Sequence, residues 1–356
     1  MFKDILSKLT RHEPLTEAEI ETFIDAVREG GISDVQIGGF QVALLMKGTS
    51  VPELAAFAKA MRKNCIAIRP NVAGDLMDTC GTGGGLSTFN ISTATAIVAA
   101  AAGIPVAKHG SRSISSLSGS ADVLEALGVN INLTPEQAAG MIERIGITFI
   151  YAPLFHPVMG KVLPPEQNLG IKTIFYTIIG PLINPAFARR HLLGVYKPDL
   201  LDSVAPVAQA LGYTRAMFVH GEAPDHGGAG LDEISLLGPT RVRELRDGAL
   251  HDYTITPEQF GLARCKLEDI RTGTPESNAR TIRGVFAGEI HGPRRDAIVL
   301  NAAGALVIGG KAADFPAGIA LARTLIDNGA ARRKLEELAA ASQVARASQV
   351  ARASSP

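Results

Sequence analysis

At 356 residues, 46% of them apolar and 20% charged, the chain can bury a sizeable core and has a length that suits about two domains. Lysine plus arginine and aspartate plus glutamate each total 35, so no net positive field favours nucleic acid, and any bound anion must be held locally. The longest apolar run, AIVAAAAGIPVA, is broken by Gly103 and Pro105 and is too short to span a bilayer, and the first residues lack the apolar block of a signal peptide; the expectation is a soluble, cytoplasmic protein with no membrane partner. Cys65, Cys80 and Cys265 lie far apart without metal-ligand spacing and read as reduced thiols.

Residues 1–63 read as helices only. Thr16 with Glu19, Ser33 with Gln36 and Ser50 with Glu53 are three successive capping boxes, in which a hydroxyl and a carboxylate or amide satisfy each other's backbone N–H groups. Each precedes apolar residues at helical spacing, such as Ile20, Phe23, Ile24 and Val27. IRPNVAGD, residues 68–75, carries Pro and Gly and marks a boundary.

From residue 76 short apolar runs alternate with helical stretches. IPVAKHG, VNINL, ITFIYAP, LLGVY, RAMFVHG and ALVIGG read as strands, and 118–127, 135–145 and 200–211 as helices. That alternation implies an α/β sheet of mostly parallel strands flanked by crossover helices, with ligands at the carboxyl ends of the strands. Residues 156–185, with five prolines, read as a linker-rich excursion. The repeated ASQVAR in the 341–356 tail reads as a frayed helix or disorder.

Four stretches carry chemistry. In DTCGTGGGLSTFNISTATA a Gly run ends a strand and opens a helix, presenting backbone N–H groups to an anion; a loop packed closely on a neighbour is the alternative. It is neither a P-loop nor G-x-G-x-x-G. In AKHGSRSISSLSGSADVLEALG, Lys108, His109 and Arg112 stand before a run of serines, which suits a polyphosphate or a solvated loop. GLDEIS places Asp232 and Glu233 side by side after a Gly-rich loop, as Mg²⁺ ligands or an exposed acidic turn. LGIKTIFYTIIGPLINPA by itself reads only as helix, turn and extended segment.

The order of these blocks, from GTGG and TFNIST through KHG-SADVLEALG, HPVM and LGIKTIF-GPLINPA to GLDE, resembles the anthranilate phosphoribosyltransferase family over residues 1 to about 340. The resemblance implies a small all-helical N-terminal domain (1–72, with roughly 160–185 returning to it) and a larger α/β domain (73–340) with a mostly parallel central sheet. It implies a homodimer and a pentosyl transfer from 5-phosphoribosyl 1-pyrophosphate (PRPP) to anthranilate or a related aromatic amine, in tryptophan synthesis, with Mg²⁺. By motif match, PRPP would meet Gly81, Thr82, Gly83, Gly84, Thr88, Asn90, Ser92, Thr93, Lys108, Ser116 and Ser120. The acceptor would meet Gly81, His109, Ser111, Glu166, Gly180 and Pro181, and the metal Ser92, Asp232 and Glu233. No nucleophilic side chain is implied. The chain departs from the family pattern in several places: an Asp is missing after the Gly run, Ser111 replaces Asn, Leu117 replaces Lys, and Glu166 replaces an acceptor-binding Arg. FYTIIGP is one residue longer than its counterpart, and the loop before Asp232 about six.

Overall fold

The computed structural model describes residues 1–113 and 117–353, by backbone alone beyond residue 345. Four helices come first: α1 (Phe2–Thr10), α2 (Glu17–Glu29), α3 (Asp34–Lys47) and α4 (Val51–Lys63). All three capping boxes form as the sequence predicts. Their apolar faces meet in a ring cluster: Phe23 stacks on Phe40 at 3.8 Å, Phe40 meets Phe57 edge-on at 6.1 Å, and Phe57 meets Phe175 at 5.6 Å. Phe175 lies far along the chain, so this core recruits a later segment.

That segment is helical, not a linker. It follows β1 (Met77–Asp78), α5 (Ile91–Ala101), β2 (Val106–Gly110), α6 (Ser120–Ala126), α7 (Pro135–Ile145), β3 (Ile147–Tyr151) and α8 (Ala152–Phe155). It consists of α9 (Met159–Leu169), a π-helical turn (Phe175–Ile179) and α10 (Gly180–Leu182). Prolines hid it: Pro164 and Pro165 lie inside α9. Val162, Phe175, Ile179 and Leu182 are buried with the N-terminal helices in one core cluster. A π turn absorbs one extra residue in a helix, and this one falls where FYTIIGP is a residue too long.

The rest of the chain adds β4 (Arg190–Gly194), α11 (Leu201–Ala210), β5 (Arg215–Gly221), β6 (Thr240–Arg246), β7 (Ala249–Ile255), α12 (Leu267–Ile270), α13 (Pro275–Phe286), α14 (Pro293–Ile308), α15 (Phe315–Asp327) and α16 (Ala330–Ala353). The sheet order is β3-β2-β1-β4-β5-β6-β7, with the first five strands parallel and the last two antiparallel. The winding reverses between β1 and β4, which opens a crevice at their carboxyl ends. A second core cluster gathers α5, α14 and the sheet face beneath them.

Two expected strands are absent. ALVIGG belongs to α14, which is buried without a break from Ala297 to Ile308, so an all-apolar run carried no helical stripe. VNINL forms no strand; the Asn130 N–H instead donates to Ser342 Oγ at 2.8 Å. The tail reading also changes, because Ser342 and Ala345 are buried in the continuous helix α16 and Gln137 Nε2 binds the Ala345 carbonyl. The β6–β7 hairpin was missed, although its Asp247-Gly248 turn, both at positive φ, is a strong hairpin signal. Among the described residues no helix is long and apolar enough to cross a membrane.

Candidate active site

The Gly run leaves β1 at the crevice. Thr82 N–H donates to the Gly194 carbonyl at the end of β4 (2.9 Å), and Gly83 N–H donates to Asp232 Oδ2 (2.8 Å). Space explains the glycines. A Cβ on Gly81 would stand 2.7 Å from Asp232 Oδ2, one on Gly85 2.4 Å from the Gly230 carbonyl, and one on Gly194 1.7 Å from the Asp232 carbonyl. Where the family pattern has Asp, Gly85 therefore lets the long loop before Asp232 close down, and Leu86 N–H binds Gly230 O at 2.9 Å. Gly84 lies against the Tyr196 ring.

Lys108, nearly fully buried on β2, points across to β1 and α5. Its Nζ lies 3.4 Å from both Thr79 Oγ1 and Ser92 Oγ. Helix α5 starts without a side-chain cap from Asn90. Instead the Ser92 N–H favours the ionised Glu233, while burial and then the neighbouring Asp232 push the Glu233 carboxyl well above its usual range. Burial raises Asp232 as well, against the Gly83 N–H. Two adjacent carboxyls, raised by burial and offset only in part by Lys108 and, at Asp232, by His220, are a donor set short of positive charge. Hard oxygen donors in that state fit a divalent cation such as Mg²⁺. Thr93 Oγ1 on α5 is buried without a partner.

Asn90 is turned to Ser118 and to Asn278 on α13, whose Nδ2 donates to Asn90 Oδ1 at 2.9 Å. Asn278 was not foreseen; it lies 188 residues from Asn90, and no local signal points to it. Thr88 bridges to Arg271, and Ser120 opens α6 beside Gly110. Ser116 lies outside the described residues. Arg112 is committed to Asp122 (2.8 Å) and Glu125 (2.6 Å), so it is no free cation.

Behind the Gly run, Asp78 is a fully buried hub. Its carboxylate accepts from the N–H groups of Thr79, Cys80 and His109 and from Asn184 Nδ2. Burial alone would raise it, but His191, His109, Lys108 and the Asn184 bond bring it below the usual range. Asp78 ends β1 and opens the DTCGTGGG stretch, yet no local signal marks its role, nor that of Asn184 in the NPA turn.

Next to Lys108 on β2, His109 Nε2 lies 3.1 Å from His156 Nε2, and its ring meets the Gly180 backbone. Burial pulls His109 down to about 4, so both rings are neutral near pH 7. His109 and Gly180 are thus brought together as expected, with Pro181 buried in α10 beside them. Ser111 follows on the same loop, exposed, its carbonyl holding Ala121 N–H. Glu166 is not brought to this group. It is fully buried and bonds to Gln41 of α3 and to Thr173, because α9 packs that face on the helical bundle.

Both parts of the fold have counterparts among known proteins. The model of the glycosyl transferase family a/b domain matches residues 73–332, and that of its helical bundle domain matches residues 3–65. Anthranilate phosphoribosyltransferase of Desulfosudis oleivorans is 47% identical over 339 residues, covering 95% of this chain and 98% of that protein. The crystal structure of anthranilate phosphoribosyltransferase from Thermus thermophilus superposes with a TM-score of 0.87 at 40% identity, over 96% of this chain and 99% of the other. The Saccharomyces cerevisiae enzyme in complex with PRPP and Mg gives 0.85 at 26% identity, over 96% and 98%.

Proposed function

From the premise that the chain belongs to the anthranilate phosphoribosyltransferase family of glycosyl transferases, we propose that it transfers the phosphoribosyl group of PRPP to the amine of anthranilate, releasing pyrophosphate, in tryptophan synthesis. The observation that carries this reading is the meeting of Asp232 and Glu233 with the Gly81–Gly85 run and Lys108 at the carboxyl ends of β1 and β4.

In the reaction the bond from ribose C1 to pyrophosphate oxygen breaks, the amine nitrogen bonds to C1, and the amine proton leaves to solvent. The transition state gathers negative charge on pyrophosphate and positive charge on the ribose. Lys108 and those backbone N–H groups of the Gly run that are not given to Gly194 or Asp232 meet the negative charge, as do the hydroxyls of Thr82, Thr88, Ser92, Thr93, Ser116 and Ser120 and, once exchanged from Ser118, the Asn90 amide. Asp232, Glu233 and Ser92 would hold Mg²⁺, which would supply further charge neutralisation. Neutral His109, with Gly180, Pro181 and Ser111, shapes the acceptor end and holds the amine near C1. No side chain need form a covalent intermediate.

A second reading is an aromatic amine or base without a carboxylate as acceptor. It is favoured by Ser111 and Leu117 in place of the family's polar groups and by the absence of an Arg at 166. Pyrophosphate release from PRPP and Mg²⁺, measured with anthranilate and then with neutral aromatic amines, separates them. Release with anthranilate is expected; release with a neutral amine alone would replace the first reading.

We also propose a homodimer through the helical bundle. A groove of ≈ 780 Å³ between α1, α3 and α9 is lined by Leu6, Val35, Val42, Met46 and Leu169. Val35 and Met46 are 85% and 74% exposed, an apolar face that suits a second copy.

A further inference from the structure

Glu166 Oε1 accepts from the Thr173 hydroxyl and, at 3.3 Å, from Gln41 Nε2. The same Nε2 donates to the Val162 carbonyl at 2.7 Å, which fixes the amide's orientation. Two atoms remain: Glu166 Oε2 and Gln41 Oε1 are both buried acceptors without a donor. Among the described residues no cation contacts the carboxyl. Lys161 binds the Arg28 carbonyl on α2, Lys172 lies over the Tyr176 ring, and Lys47 of α3 pairs with Glu53. Glu21 and Asp25 of α2 pair with Lys63, and Asp34 of α3 is exposed. A buried carboxylate without a counter-charge is strongly disfavoured, and a single proton between two orphaned acceptors satisfies both.

We propose that Glu166 is held as the neutral carboxylic acid, donating its Oε2 proton to Gln41 Oε1, and that this acid–amide pair is a positioning contact fixing α9 against α3. Burial accordingly raises the Glu166 carboxyl, in part offset by its bonds to Thr173. Thr173 begins the stretch that runs through the π turn to Gly180 and Pro181, so the pair sets the approach of the acceptor end. The residue that by its type reverses a charge thereby brings none. This inference rests on the proposed function only where acceptor kinetics are read.

Infrared spectra of carbon-13 glutamate-labelled protein at pH 7, recorded in a Glu233→Gln background because the Glu233 carboxyl is raised as well, are expected to show a protonated-carboxyl band that Glu166→Gln removes. Glu166→Gln should keep the wild-type melting temperature at pH 7, since its amide donates to Gln41 Oε1 and accepts from Thr173. Glu166→Ala should lower it. A carboxyl raised on folding stabilises most at low pH and loses that contribution as pH rises through its folded pKa; the fall in wild-type melting temperature should shrink in Glu166→Gln. Glu166→Ala should raise the acceptor KM several-fold with less change in kcat, and Glu166→Gln should rescue it. A protonated band that is absent or that Glu166→Gln leaves unchanged, or a Gln variant as unstable as Ala, overturns the proposal. The band and the melting data are independent of which amine is the acceptor, so a protein that shows both but leaves anthranilate unreacted upholds the acid–amide pair and defeats the functional reading.

Discussion

Glu233 and Asp232 illustrate how far single residues carry the argument. Both carboxyls are raised by burial, and Glu233 by Asp232 as well. Groups raised above their unfolded values stabilise the fold when protonated and lose that contribution as pH rises through the folded pKa. Protein without metal is therefore expected to lose melting temperature as pH rises above the ordinary carboxylate range, and Mg²⁺ should restore more of it at higher pH. Asp232→Asn with Glu233→Gln should flatten both trends in scanning fluorimetry and lower turnover by about 100-fold or more. A melting temperature insensitive to Mg²⁺ at every pH would sink the metal assignment. Gly194→Ala tests the same loop sterically, since its Cβ would fall 1.7 Å from the Asp232 carbonyl. It should cost about 1–3 kcal/mol of stability and weaken Mg²⁺ dependence, read by denaturant unfolding and a Mg²⁺ titration.

At the scale of elements, α16 separates composition from structure. ASQVAR repeats every six residues, which is not a helical period. Only the first copy's contacts are described: Ser342 holds Asn130, and Gln343 Nε2 binds the Gly128 carbonyl. Truncation after Ala340 should cost about 1–3 kcal/mol through the lost bonds to that turn. Truncation after Arg346 keeps those bonds and should leave the protein more stable than truncation after Ala340. Denaturant unfolding of the two truncated proteins checks the pair; equal stabilities would show that the first copy contributes nothing.

For the whole molecule, the apolar groove of the helical bundle is the prediction with the widest reach. Sedimentation at micromolar concentration is expected to show a dimer. Val35→Asp with Met46→Glu should yield a monomer that stays folded, because both side chains are exposed in the single chain. A wild-type protein that sediments only as a monomer would refute the dimer.

The local rules were written in the chain. Three capping boxes, the helix over Pro135–Ile145, the strand over Arg215–Gly221 and the Gly run at a strand end depend on neighbours a few residues apart, and each is where the sequence predicts it. Lys108, Ser92, Asp232 and Glu233, which the family pattern groups, lie near one another in the fold. Tertiary packing decided the rest. ALVIGG became helix because every side of α14 is covered, and burial erases the stripe that marks a helix in sequence. Asn278 reached Asn90, and Glu166 turned to Gln41, across 188 and 125 residues. Such partners are chosen by how helices stack, and whether an acid is charged depends on what surrounds it. Neither is a property of the residue or its neighbours in the chain.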